Sequence, residues 1–356
     1  MQIATAPPPH ERLERALVLA RGGRAAEIRR DLSGAWARYE EAMGLLADAS
    51  PTPLYANVLR WGGSVLRDLG EIDRADRLYC DSFDAADRSG AKAAMAAALN
   101  CRAVIAQRRG AMDEAVALYR SAASLATEAG EIRLVGLIEQ NLGVLANIRG
   151  DLDGALIRYR AALEAFEEVS DQEAVSWVLN NIGMVLTHTG LHEHAEASFR
   201  RGVRIARARG DRPLEGVLRA NYGECLLATE RWDDAAAELT FAVGVAREGE
   251  DRAREGQAMK LLGVLEGARG RLHQARVLVD EALSIGRELD DRLLIAETLK
   301  ERGALLCRHG RAEEALRDWD DAEERFAALE ARRDAERVRR MADELRRDTT
   351  DNGTTS

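Results

Sequence analysis

At 356 residues with a net charge of −10, the chain lacks the basic footprint that general nucleic-acid binding requires. Hydrophobic residues at 46% and charged residues at 31% are ordinary for a soluble protein, and sparse aromatics beside abundant Ala, Leu and Arg favour helix. Cys80, Cys101, Cys225 and Cys307 stand far apart with no C-x-x-C spacing, which argues against a zinc site and a disulfide framework and for a reducing compartment.

Residues 1–10 hold three consecutive prolines, no basic n-region and no long apolar run. They predict a disordered tail, with neither signal peptide nor membrane span, on a cytoplasmic protein. From residue 11 to 347 the sequence reads as one uninterrupted helical array with a period of 40 residues. One column runs Gly23, Gly63, Ala103, Gly143, Gly183, Gly223, Gly263, Gly303. Seven residues on stands Arg30, Gly70, Gly110, Gly150, Gly190, Glu230, Gly270, Gly310. Five further, every unit has alanine: Ala35, Ala75, Ala115, Ala155, Ala195, Ala235, Ala275, Ala315. Four beyond lies a large residue: Tyr39, Tyr79, Tyr119, Tyr159, Phe199, Leu239, Val279, Trp319.

Each column has a physical reading. A glycine inside a helix costs about 1 kcal/mol relative to alanine, so its repeated use implies a neighbour too close for a side chain. The second glycine ends that helix and opens a tight turn. Alanine, the large residue and a further small residue at i, i+4, i+7 form one face of a second helix. The units are therefore helix pairs, A then B, at about 13–52, 53–92, 93–132, 133–172, 173–212, 213–252, 253–292 and 293–332. Asp171, Asp211, Asp251 and Asp291 are candidate N-caps for the next helix A. Residues 333–347 read as a capping helix with Val338, Met341 and Leu345 facing inward, since a solenoid end otherwise exposes apolar surface. The seven arginines of 332–347 offer the alternative of a patch for an acidic partner. Residues 348–356 predict a second disordered tail.

The pattern Leu142-Gly143, Gly150, Ala155, Tyr159, Ala162 resembles the tetratricopeptide-repeat (TPR) signature, and the resemblance covers residues 13–347. The period is 40 rather than 34, and the terminal proline of the usual motif is missing. Both departures resemble the long-helix repeats of Pins-like adaptors and of bacterial Rap-type and MalT-type regulators. The resemblance implies an all-α fold, an α-solenoid of eight antiparallel helix pairs plus a C-terminal capping helix. It also implies a concave groove lined by helix A.

Register then sets the residues facing that groove as Arg60, Arg67, Asn100, Gln107, Arg108, Gln140, Asn147, Asn180, His188, Lys260 and Lys300. Two residues before the first glycine column, Asn141, Asn181 and Asn221 recur in successive units. In TPR adaptors an Asn there often contacts the backbone of a bound peptide. A carboxamide both donates and accepts, so a ladder of Asn and Gln suits an extended main chain, and flanking arginines suit an acidic ligand or a terminal carboxylate. The bland alternative is that such Asn residues are consensus filler on a solvated face. Trp177 reads either as a pocket wall or as core packing.

No catalytic signature is present. His192 and His194 at i, i+2 point apart, there is no H-E-x-x-H, no phosphate-binding glycine loop and no G-x-S-x-G. The sequence thus predicts no enzyme, no metal and no cofactor. Its leading reading is a scaffold or adaptor holding a protein or peptide segment. The alternatives are a peptide- or ligand-sensing regulator acting through a separate output protein, and a self-associating structural protein. Composition assigns no oligomeric state.

Overall fold

The computed structural model describes residues 9–47, 52–329 and 331–353. The expected disorder of residues 1–8 and 354–356 lies outside that range. The protein is all-α, with eight antiparallel helix pairs followed by a seventeenth helix among the described residues. These divide into two compact units, one ending at Ala174 and one beginning at Val175.

The first unit contains α1 (Pro9–Ile28), α2 (Leu32–Leu46), α3 (Pro53–Asp68), α4 (Ile72–Arg88), α5 (Lys92–Arg108), α6 (Met112–Glu128), α7 (Ile132–Ile148) and α8 (Leu152–Glu168). Odd-numbered helices are the A members of the pairs. The glycine column does what its spacing implies. A Cβ on Gly63 would come within 2.7 Å of the Tyr79 ring, and one on Gly143 within 2.6 Å of Tyr159. The tyrosine of helix B thus lies directly on the backbone of helix A. Among the described residues the reversals use one left-handed residue, glycine at Gly70, Gly90, Gly110, Gly130 and Gly150, and Arg30 and Ser170 at two others. The N–H of the next residue then bonds back five residues, as Glu71 does to Leu66, closing the helix end.

The second unit contains most of α9 (Gln172–His188), then α10 (His192–Ala208), α11 (Arg212–Ala228), α12 (Trp232–Glu248), α13 (Arg252–Ala268), α14 (Leu272–Glu288), α15 (Arg292–Arg308), α16 (Ala312–Ala328) and α17 (Arg332–Gly353). Here Phe199, Leu239, Val279 and Trp319 occupy the place of the tyrosines against Gly183, Gly223, Gly263 and Gly303. Asp171, Asp211, Asp251 and Asp291 accept from the N–H three residues on, at 3.0–3.1 Å, so all four cap as expected. α17 packs on α16 through the buried Ala335, Val338 and Ala342 and the partly buried Met341 and Leu345. Nothing between Asp348 and Asn352 breaks a helix, and α17 runs on to Gly353, past the expected end at 347. Pro9 and His10 likewise belong to α1 rather than to a tail.

Candidate functional site

Within each unit successive A helices pack side by side: α1 with α3, α3 with α5 and α5 with α7 in the first, α11 with α13 and α13 with α15 in the second. Successive B helices make no comparable contact within either unit among the described residues. The A helices therefore present one continuous face in each unit, and the sequence-derived residues belong to these helices.

In the first unit, Arg60 donates to Asn57 at 3.3 Å and stacks over Trp61, which also has Arg24 over its ring. Arg67 is held by Asp68 at 2.8 Å, and Arg108 is exposed. Asn141 donates through Nδ2 to Oδ1 of Asn100 at 3.1 Å, joining α7 to α5. Gln107 accepts from the Tyr119 hydroxyl at 3.3 Å, while Gln140 and Asn147 are half-buried. Tyrosines escape a search restricted to helix A, yet their hydroxyls reach this face, Tyr39 bonding to Glu27 and Tyr79 to Ser64. Burial is the main cause that pushes Tyr79 up to about 12.

In the second unit, Asn221 donates to Oδ1 of Asn180 at 2.8 Å, the same link between α11 and α9. Asn181 and Trp177 are half-buried and His188 is exposed. Lys260 pairs with Glu297 of the next A helix and is only 14% exposed. Burial alone would lower its pKa, but Glu297, with Glu224 and Glu301 nearby, outweighs burial and raises it. Lys300 pairs with Glu301 at 3.1 Å.

Two expectations need correcting. Asn100 and Asn180 are not open groove groups; they are buried where one A helix packs on the next, whereas Arg60 and Gln140 of the same column stay half-buried. Lys260 and Lys300 are likewise engaged by carboxylates rather than standing as free cations. What the structure brings together are two carboxamide pairs, Asn100–Asn141 and Asn180–Asn221, spaced 41 residues apart in sequence.

Among the described residues, no group of three or more His, Cys, Asp or Glu is arranged to hold a metal, and no helix is long and apolar enough to cross a membrane.

A family model described as "Tetratricopeptide repeat" matches residues 134–208 and 174–248. The apo form of RapI is similar in structure, at 14% identity and a TM-score of 0.61, over 78% of this chain and 99% of that one. A Rap protein complexed with competence and sporulation factor is similar at 15% identity and TM-score 0.58, over 97% and 99% of the two chains. The Rap conjugation gene regulator of plasmid pLS20, in complex with the Phr* peptide, is similar at 18% identity and TM-score 0.57, over 82% and 80%. At these identities the likeness concerns the fold. No curated protein sequence matches the chain.

Proposed function

We propose that this chain, a tetratricopeptide-repeat protein with long 40-residue units, is a non-catalytic regulator that holds a peptide or an extended protein segment along the face where its A helices meet. The observation that carries this reading is the pair of carboxamide links on that face. In each link the outer residue, Asn141 or Asn221, spends an N–H on a buried partner and keeps its own carbonyl and second N–H available. Its orientation is fixed by the bond it already makes. A donor and an acceptor held in place and half-buried suit the main chain of an extended ligand, at little further entropic cost.

The comparisons support a peptide as the ligand class, since the pLS20 regulator resembles this chain in fold and its structure contains the Phr* peptide. Arg60, Arg67 and Arg108 would favour acidic side chains or a terminal carboxylate toward the first unit. The chain acts in the cytoplasm through a separate output partner in this reading.

Selection from a random library of linear peptides tests it. Bound peptides should lose about tenfold in affinity, of order 1.4 kcal/mol, with Gln140→Ala/Asn147→Ala and with Asn221→Ala, helicity being retained. Peptides that bind these variants as well as the parent would sink the assignment. The proposal also treats residues 11–347 as one array.

A further inference from the structure

A second cavity, away from the face of the A helices, lies in the second unit between the B helices α10 and α12, with α11 as its floor. Its volume is about 710 Å³, and its walls carry Arg200, Arg204, Arg207, Arg219 and Arg231 against Asp234 and Glu238. That size lies in the range of small-ligand sites.

The arginines are held in place. Arg219 is 12% exposed and donates to Glu215 at 2.8–2.9 Å and to Glu238 at 2.9 Å, with its guanidinium 3.9 Å from the centre of the Phe241 ring. The buried Glu215 also holds Arg207, at 3.1 Å. Glu196, behind the wall, accepts from the Tyr222 hydroxyl at 2.6 Å, from Arg231 at 2.6 Å and from Arg200 at 3.3 Å. Four of the five arginines are thus fixed by carboxylates, two of which lie behind the lining. Arg204 is exposed on the same face of α10, and no carboxylate pairs with it among the described residues.

Repeat geometry alone does not account for this. The equivalent groove between α6 and α8 has a volume of only about 260 Å³, with a floor of Leu142, Leu145 and Ala146 and with Ile157 in a wall that also carries Arg120, Arg149 and Arg158. Eighty residues before Arg204, Arg207 and Arg219 stand Ser124, Thr127 and Glu139. Across the eight units the Arg204 column reads Gly44, Asp84, Ser124, Glu164, Arg204, Gly244, Ser284, Glu324, with no second cation. The Arg219 column is otherwise Leu19, Leu59, Leu99, Glu139, Leu179, Met259 and Leu299. An arginine has replaced a core residue in one unit, and buried carboxylates orient it.

We infer that this cavity is a binding site for a small, multiply charged oxyanion, either a phosphate-bearing compound or a di- or tricarboxylate, with Arg204 supplying the uncompensated charge and Arg207, Arg219 and Arg231 the fixed N–H donors. A guanidinium carries five N–H donors; Arg207 spends two of them on carboxylates and Arg219 and Arg231 three each, so each keeps donors for an oxyanion.

Titration calorimetry of the full chain at constant ionic strength, with pyrophosphate and with citrate as probes, tests the inference. At least one probe should bind at a single saturable site per chain. Arg204→Glu and Arg204→Ser should raise Kd about tenfold or more, while Arg77→Glu, on the exposed surface of α4, should leave it unchanged. Preference for pyrophosphate identifies a phosphate ligand and preference for citrate a polycarboxylate; equal binding means charge density alone is read. Absence of saturable binding for both probes, a loss shared by Arg77→Glu, or an affinity that survives Arg204→Ser would overturn it. Arg204 makes no ion pair among the described residues, so its variants should keep the parent's thermal midpoint, and circular dichroism checks this.

Discussion

The two units share a helix-pair plan and differ in what they bury. Among the described residues the first unit encloses no charged side chain, its buried polar groups being Ser82 and Asn100. Ser82 donates to the Ala56 carbonyl at 2.7 Å and Asn100 accepts from Asn141, so each is satisfied by a neutral partner. The second unit buries Glu215, Glu255, Glu266 and Asp318, and each is caught by two arginines or by one in a fork. Where the first unit lays four tyrosines on helix A, the second lays Phe, Leu, Val and Trp, of which only Trp319 keeps a polar handle, donating to the Lys300 carbonyl. Polarity has moved from the hydroxyl tips of helix B into ion pairs between helices. One backbone plan therefore carries two interiors, and a buried ion pair makes its unit far more sensitive to loss of one partner than a neutral hydrogen bond does.

The largest expected effect follows from that asymmetry. Arg219→Ala strands Glu215 with a single, mostly exposed arginine, and should destabilise the second unit by about 3–5 kcal/mol. In the first unit the repeat-equivalent pair has its charges exchanged, and Arg158→Ala there removes a 41%-exposed partner of Glu139 and should cost no more than about 1 kcal/mol. Chemical denaturation read by hydrogen exchange in each unit distinguishes the two, and equal losses would end the contrast.

A smaller effect concerns pH, and the units differ in balance: five tyrosines are raised in the first, whereas the second has Tyr222 alone, raised by burial and by Glu196. Burial raises the pKa values of Tyr39, Tyr55, Tyr79, Tyr119 and Tyr159 above 10.0, with Tyr79 and Tyr159 pushed up to about 12. Stability that depends on the neutral phenol is complete below pH 10 and is lost as pH rises through 10 toward the folded values. In the second unit, burial of Glu196 and Glu255 is outweighed, by Tyr222 and Arg231 for the one and by Arg247 and Arg252 for the other, so both sit below 4.5. Their contribution is present above pH 4.5 and disappears as pH falls through the folded values. Alkali should open the first unit first and acid the second. Exchange rates corrected for intrinsic pH dependence, measured at pH 11 and pH 3.5, check the order.

The smallest effect is at the helix caps. Asp211, Asp251 and Asp291 cap the A helices of the second unit, whereas Ala91 and Glu131 precede α5 and α7 with no side-chain bond. Ala91 has φ −86° and ψ 79°, and Asp211 has φ −81° and ψ 78°, so an aspartate fits at Ala91 without backbone adjustment. Ala91→Asp should stabilise by about 1 kcal/mol and Asp291→Ala should cost a similar amount, read as opposite shifts in Tm.

Much of this was legible from spacing. The glycine column marks a contact between two helices in one pair, only 16 residues apart, as with Gly63 and Tyr79, so local sequence specifies both partners. The Asp caps are likewise local. The candidate site was legible only in part. Asn141 could be placed on a face of α7, but that its amide would be spent on Asn100 depends on how closely α7 approaches α5. The carboxylates around Lys260 were missed because Glu297 belongs to the following A helix and lies outside the columns counted from glycine. Arg219 was a visible break in a leucine column, but its meaning required Glu215, Glu238 and Phe241 to be seen around it.

The sequence by itself determined the helix pairs, their 40-residue period, the turns and the inward faces, because each rests on contacts within a few turns of chain or on a pattern repeated in all eight units. Only the tertiary structure decided which polar groups are consumed and which stay available. Hydrogen bonds and ion pairs between neighbouring repeats depend on distances of an ångström or less, set by packing, and no periodicity encodes them.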